Sequence, residues 1–339
     1  MGDPRGIGPE VTVKALAAVE DPSVRFRVFG IEDALEAAAA RAGLLKWNRA
    51  VESIESLGFS TESVRTEASA GEASFRWVEA ATRAALPSQA HSQRASALVT
   101  APIAKSAWAA AGHAEFPGHT ELLARLCGTL RGTYGMMFHV APTATAPGIN
   151  AILTTVHVPI SKVPSLITRD RVLATIRMAH TGMQDLGVES PKLAVCGLNP
   201  HAGEDGLIGT EEVRHIAPAI AEAQDEGIAA YGPFPGDTIF RSALSTVERR
   251  AQFDCVVAMF HDQGLTAIKT LAMERAVNRT VGLPIIRTSP DHGTALALAG
   301  KNLADPGSMA QAVALAVTLA RRSGLGATGE HQREAQSPP

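Results

Sequence analysis

Short, nearly continuous apolar runs recur along this chain, and longer amphipathic stretches separate them. Segments 26–29, 97–100, 151–156, 193–197 and 255–260 have few polar breaks. A strand with one wet face alternates apolar and polar residues, whereas a strand apolar throughout has both faces covered. Covering both faces takes helices on each side, which predicts an α/β fold with a largely parallel sheet. The intervening stretches carry helical periodicity. Residues 169–186 place Val172, Leu173, Ile176, Ala179, Met183 and Leu186 on one stripe, with Gly187 as the stop. His180, at the edge of that stripe, reads as a packed structural residue. A second helix is expected to start with Thr210 as N-cap and Glu211 and Glu212 in the first turn, where the helix dipole favours acids. Its buried stripe is expected to be Val213, Ile216, Ala217 and Ile220, with a kink at Pro218 and an end at Gly227.

Composition narrows the class. With 45% hydrophobic and 19% charged residues in 339, the chain has the makings of a core and is not disordered. A net charge of −3 without a long basic run gives no electrostatic argument for a nucleic-acid partner. No apolar run approaches a membrane span, and the first residues, Met1 to Arg5, lack an apolar signal core. Cys127, Cys196 and Cys255 are far apart in sequence and odd in number, so buried reduced thiols in a cytoplasmic protein are expected.

The chemistry concentrates in loops. Gly2 to Glu10, rich in glycine, leads into a helix; it reads either as an ordinary helix start or as an anion cradle. Phe116-Pro117-Gly118-His119-Thr120-Glu121 opens another helix, where His119 and Thr120 can donate to a phosphate or Thr120 can simply cap. His157, His201 and His261 each follow an apolar run and meet Pro or Gly. They stand 44 and 60 residues apart, so spacing alone gives no metal motif, and each can equally be a hydrogen-bonded structural residue. Three such positions at one sheet edge can nevertheless converge on a divalent ion. Lys269, Asn278 and Arg287 form a basic-polar set that reads as scattered surface charge or as a site for a phosphate or carboxylate. No Gly-x-Gly-x-x-Gly follows a strand, so a conventional dinucleotide fingerprint is not supported.

Several blocks in order along the chain resemble the 4-hydroxythreonine-4-phosphate dehydrogenase family. They are Gly2-Asp3-Pro4 through Glu10, Gly118-His119-Thr120, Gly197 through Glu204, Pro235-Gly236-Asp237-Thr238, His261-Asp262-Gln263-Gly264 and Arg287 through Thr294. The resemblance implies two α/β lobes flanking a cleft, like isocitrate and isopropylmalate dehydrogenases, in a homodimer that completes the site. The expected first lobe is 1–115 plus 285–325, the second 116–284, and 326–339 a disordered tail. It implies His157, His201 and His261 as ligands of one divalent ion (Zn, Mg, Co or Mn), some reaching across the dimer. It implies His119, Thr120, Lys269, Asn278 and Arg287 as substrate-binding residues. NAD, or NADP, would meet His292, Gly293, Thr294 and Asp305, and Asp237 would assist proton transfer or orient a histidine. The implied reaction oxidises the C3 hydroxyl of 4-phosphooxy-L-threonine, followed by decarboxylation.

The chain departs from the family pattern in three places. Relatives carry an apolar strand before the Gly-Asp-Pro block, where this sequence has Met1, so a missing first strand with unpaired neighbours is expected. Position 297 is Ala where relatives often carry an acid, and segment 240–250 is longer. Alternative readings are a dehydrogenase of phosphorylated erythronate or threonate, one of a dihydrodiol dicarboxylate, and a non-catalytic truncated paralogue.

Overall fold

The computed structural model describes residues 1–90, 94–130 and 132–325. The expected tail, 326–339, lies outside the described residues. The chain divides into two compact units, Met1–Thr129 with Leu283–Pro339, and Leu130–Gly282. In chain order the first unit contains α1 (Gly8–Ala17), β1 (Phe26–Phe29), α2 (Glu32–Arg41), β2 (Val51–Glu55), α3 (Glu67–Ala85), β3 (Leu98–Val99), α4 (Lys105–Ala110) and α5 (His119–Leu126). The second contains β4 (Gly135–Val140), β5 (Ile149–Leu153), α6 (Val163–Leu166), α7 (Arg169–Asp185), β6 (Lys192–Cys196), α8 (Ala217–Asp225), β7 (Ala229–Phe234), β8 (Cys255–Ala258), α9 (His261–Ala272) and β9 (Val277–Val281). The chain then returns to the first unit with β10 (Arg287–Pro290) and α10 (Gly307–Arg322). The mixed α/β class expected from the alternating pattern is the one adopted. Residues 116–129, expected in the second lobe, fall in the first unit, because Leu122 and Leu123 of α5 share an apolar cluster with Phe75 and Trp108.

In the second unit the strand order is β9-β4-β5-β8-β6-β7. β5, β8, β6 and β7 run parallel, while β4 is antiparallel to both β5 and β9. Both sheet faces are buried, as the near-continuous apolar runs require. Leu193 and Val195 pack with Val172 and Ile176 of α7, and the alternate residues Ala194 and Cys196 pack with Leu265 and Ile268 of α9. Thr168 caps α7 by accepting from the Arg171 N–H at 3.3 Å, and Gly187 follows its end with φ of +93°. α9 seats tightly because residue 264 has no side chain: a Cβ there would stand 2.6 Å from Leu153 Cδ2.

The helix after Thr210 departs from its expected face. The Thr210 carbonyl accepts the first helical hydrogen bond, from the Arg214 N–H, but residues 212–216 form a π-helical turn ahead of α8. Pro218 lacks the N–H that would continue a regular ladder, so the turn widens there. Val213, expected in the stripe, is exposed, and Glu212 is buried instead, with Ile216 and Ile220 still in the core.

In the first unit, β1 pairs with β2 and β3 with β10, each in parallel. Among the described residues no ladder joins β1 to β3; a cavity of about 1510 Å³, lined by Phe26, Val28, Leu98, Val313 and Ala316, touches both. α3 starts with a capping box between Thr66 and Ser69 and crosses α4 at Gly71. A Cβ on Gly71 would stand 1.9 Å from the Ala107 carbonyl oxygen. Alanine in a helix interior is favoured over glycine by about 1 kcal/mol, but a backbone clash of this size outweighs it. Gly71→Ala is therefore expected to lower the unfolding free energy by roughly 1–3 kcal/mol, as measured by urea titration; an increase would show that the crossing relaxes freely.

Candidate functional site

The four parallel strands of the second unit end at one edge, and that edge carries the expected metal and proton-transfer residues. His157 follows β5, His261 opens α9 immediately beyond β8, His201 follows β6, and Asp237 follows β7. Ligands of parallel α/β sheets bind at this carboxyl edge. The ring centroids of His157 and His261 are 5.6 Å apart. His261 Nδ1 lies 2.7 Å from Asp262 Oδ1, and His201 Nδ1 lies 2.9 Å from Glu204 Oε1. A carboxylate only accepts, so each Nδ1 is the donor, and in that tautomer of a neutral imidazole the Nε2 lone pair is the one left to a metal. That is the arrangement of a metal-binding imidazole held by a carboxylate behind it. The donor set therefore fits a first-row divalent ion. Within one chain, however, no three His, Cys, Asp or Glu side chains gather to hold an ion among the described residues. The structure brings His157 and His261 together and does not bring His201, whose side chain is 69% exposed, to that pair.

His201 sits in an unusual turn. His201, Ala202, Gly203, Glu204 and Asp205 all have positive φ, between 44° and 82°. Left-handed backbone costs non-glycine residues on the order of 1–2 kcal/mol each, so four of them in one turn must be held from outside. Glu212 does this. Its Oε1 accepts from the Leu198 and Asn199 N–H groups, both at 2.7 Å, and Asn199 Nδ2 donates to Oε2 at 3.0 Å. Sequence reading missed this role, because nothing distinguishes Glu212 from its neighbour Glu211 except burial. It also missed Gln263, which accepts from the Met259 N–H at 2.7 Å and donates to the Gly197 carbonyl at 2.8 Å.

The expected substrate residues divide between the units. Lys269 lies on α9 in the second unit and lines, with His261 and Leu265, an open recess of about 420 Å³. Asn278 on β9 is in the same unit, and its buried Oδ1 has no hydrogen-bond partner among the described residues. In the first unit, Arg287 at the start of β10 is buried and donates to Thr100 Oγ1 from Nε at 3.2 Å and Nη2 at 2.8 Å. Burial pulls its guanidinium down to about 10, with Glu121 opposing, so it stays charged at neutral pH. His119 is the first residue of α5, with Gly118 at the N-cap and no side-chain cap, so Thr120 is not a cap. Burial, then the charges of Arg287 and Lys105, holds the His119 imidazole well below its usual range. Its enclosed Nε2 has no hydrogen-bond partner among the described residues. A buried polar atom left without a partner is uncommon and calls for a ligand or water.

The segment expected to meet the nucleotide also belongs to the first unit. His292 Nδ1 lies 3.1 Å from the Gly293 carbonyl, while its buried Nε2 has no partner among the described residues. Gly293 faces open space, and Leu296, Leu298 and Leu303 are exposed. Asp305 accepts from the Gly307 N–H at 2.7 Å ahead of α10. The Gly2–Glu10 block braces this segment. Ile7 donates its N–H to the Thr294 carbonyl, and Glu10 Oε1 accepts from the Ala304 N–H at 2.8 Å and from Lys14 Nζ at 2.7 Å. The amides of Asp3 and Gly6 are engaged as well, by the Pro102 and Asp3 carbonyls, which favours the structural reading of this block over the anion cradle. All three cysteines are free thiols, and burial pushes Cys127 up to about 11 and Cys196 up to about 12. No helix among the described residues is long and apolar enough to cross a membrane.

Comparison with known proteins points one way. The family model described as pyridoxal phosphate biosynthetic protein PdxA matches residues 9–316. The chain is 43% identical over 326 residues to the 4-hydroxythreonine-4-phosphate dehydrogenase of Burkholderia vietnamiensis, covering 94% of this chain and 95% of the relative. It is 39% identical over 342 residues to the D-threonate 4-phosphate dehydrogenase of Cupriavidus necator, covering 95% and 96%. The crystal structure of 4-hydroxythreonine-4-phosphate dehydrogenase from Klebsiella pneumoniae matches with a TM-score of 0.76 at 36% identity, over 94% of this chain and 96% of that one. With a family match across most of its length and relatives of this similarity, the chain belongs to the PdxA family of pyridoxal phosphate biosynthetic proteins.

Proposed function

We propose that this chain is an NAD-dependent, divalent-metal-dependent dehydrogenase of 4-phosphooxy-L-threonine. It oxidises the C3 hydroxyl, and the β-keto acid formed then loses carbon dioxide to give 3-amino-2-oxopropyl phosphate. The observation that carries this reading is the placement of His157, His261, His201 and Asp237 at the ends of four adjacent parallel strands. A bound divalent ion supplies Lewis acidity to the reacting hydroxyl and later to the carbonyl. His157 and His261 would hold it from one subunit, and His201 would serve a site completed by a second copy. Exposed Leu207, Ile208 and Val213 beside the His201 turn give that copy an apolar surface to cover. Asp237, exposed in the turn after β7, takes the hydroxyl proton while the C3 hydrogen leaves as hydride to NAD. Lys269, Asn278, Arg287, Thr120 and the neutral His119 bind the phosphorylated acid, so that binding energy remote from C3 orients the reacting carbon. His292, Gly293 and Thr294 meet the cofactor's adenosine half. Asp305, in the stretch that leads into α10, joins them on that half. Three free thiols suit the reducing cytoplasm.

The similarity to a D-threonate 4-phosphate dehydrogenase supports a second reading, in which a hydroxyl replaces the substrate amine. NADH absorbance separates the two. The expected result is turnover of 4-phosphooxy-L-threonine in preference to D-threonate 4-phosphate, abolished by a chelator and restored by a divalent ion. Reversed preference would replace the substrate, and chelator-insensitive turnover would remove the metal. Asp237→Asn is expected to lower kcat by roughly 10²–10⁴-fold with little change in KM; an unaltered kcat would take the proton-transfer role from Asp237.

The depressed His119 gives a pH test on the ligand-free protein. Below about pH 6.5 the unfolded chain takes up a proton at this residue that the native state does not, so stability is held above that pH and lost as pH falls through the folded value. Acidification from about pH 7.5 to about pH 5 should lower the urea midpoint, and His119→Gln should lose less over the same interval. His139, also held low by burial in the second unit, contributes a share that this substitution leaves in place. Equal acid losses in the two proteins would show that His119 is not the buried neutral imidazole described.

A further inference from the structure

We propose that Glu212 is a positioning residue for His201, and that Gln263 and Thr155 extend its buried hydrogen bonding so that one polar lattice fixes all three histidine-bearing strand ends. The proposal rests on the metal reading above and deepens it.

The lattice can be followed atom by atom. Thr155, two residues before His157, donates its N–H at 3.1 Å and its Oγ1 hydroxyl at 2.8 Å to the Met259 carbonyl. Met259, two residues before His261, donates its N–H to Gln263 Oε1 at 2.7 Å. Gln263 Nε2 then donates to the Gly197 carbonyl at 2.8 Å, at the end of β6. The next two residues, Leu198 and Asn199, give both N–H groups to Glu212 Oε1. Asn199 in turn accepts from the Ala202 N–H at 3.1 Å, inside the left-handed turn that presents His201. Glu212 and Thr155 are 2% and 1% exposed, so these bonds form away from water, where a missing partner costs most. Gly203 and Gly197 allow the approach: a Cβ on either would stand 2.6 Å and 3.1 Å from the Glu212 carboxylate.

Three points separate this from ordinary core packing. Glu212 is buried by a π-helical turn that displaces the apolar Val213 to the surface, an exchange no hydrophobic term favours. Its three donors, two amides and one side-chain amide, all belong to Leu198 and Asn199, the residues that lead into the turn. The turn itself is left-handed at four non-glycine positions and carries an expected ligand, His201, whose side chain is 69% exposed. A charged acceptor is suited to this task, because hydrogen bonds to a carboxylate are about twice as strong as neutral ones.

The experiment uses the full-length chain with Co(II) as probe, read by calorimetry and by the visible absorption of the loaded protein. Glu212→Gln is expected to weaken Co(II) binding by at least about tenfold and to alter the absorption bands. Ala202→Gly in the same background should recover much of the affinity, since glycine adopts positive φ without the penalty; a merely structural loss would not be rescued there. Asn199→Ala, a milder change should Glu212→Gln fail to fold, is expected to weaken binding in the same direction by less. In parallel, hydrogen exchange of metal-free protein should speed up at residues 197–208 in Glu212→Gln and stay unchanged in His261→Ala. Unchanged Co(II) affinity and unchanged exchange in Glu212→Gln, or no recovery with Ala202→Gly, would overturn the proposal. Failure of the parent chain to bind Co(II) would instead sink the metal reading, and the exchange comparison would still decide whether Glu212 holds the turn.

Discussion

Parallel pairing of β5, β8, β6 and β7 is the constraint on which the second unit depends. Parallel strands cannot be joined by tight hairpins, so each connection crosses the sheet and returns, and every strand ends at the same edge. The crossovers also bury both faces: Leu193 and Val195 face one apolar cluster, Ala194 and Cys196 the other. With side chains committed to packing on both faces, polar chemistry is left to the loops beyond the strand ends. His157, His201, Asp237 and His261 occupy four such loops or helix starts. The sheet thus acts as a rigid mount, and the short loops inherit its precision.

The first unit handles charge differently. Arg287 is buried and remains cationic, a state that costs several kcal/mol unless polar partners or a ligand offset it. Thr100 supplies one acceptor, through its hydroxyl. Desolvation first, and then the charge of Arg287, hold His119 well below its usual range and so neutral. A neutral imidazole at the start of a helix can donate one hydrogen bond to an anion without adding a second buried cation. The enclosed His119 Nε2 has no hydrogen-bond partner among the described residues, and the charged Arg287 lies in the same unit.

Much of this was legible in the sequence, for identifiable reasons. Strands buried on both faces leave continuous apolar runs, so β5, β6 and β8 could be placed to within a few residues. α7 was legible from its stripe and from Gly187, because capping is a local interaction. The antiparallel β4 was not, since its direction is set by partners on both sides rather than by its own residues. The face of the helix after Thr210 was misread at Val213, because a π-helical turn shifts the period that the pattern argument assumes. Glu212 and Gln263 were invisible as site residues for a deeper reason: most of their partners are backbone groups, and backbone groups carry no sequence signal.

The histidines show how topology brings residues with an uninformative spacing to one sheet edge. In sequence they run 157, 201, 261, with gaps far beyond any local ligand motif. In space the strands that carry them run β5, β8, β6, so the last histidine stands between the first two. The β8 end, carrying His261, is therefore the only one of the three that can hydrogen-bond to both others, and it does so through the Met259 carbonyl to Thr155 and through Gln263 to Gly197. Neighbouring strands lie about 4.8 Å apart, so the outer two histidine strands are separated by about twice that. The rings of His157 and His261, on neighbouring strand ends, stand 5.6 Å apart across one such interval. His201, two strands from His157, is carried by the turn after β6, and loops wander unless held. A left-handed turn pinned by a buried carboxylate is the physical answer proposed above, and Glu212 lies outside every sequence block that carries the histidines.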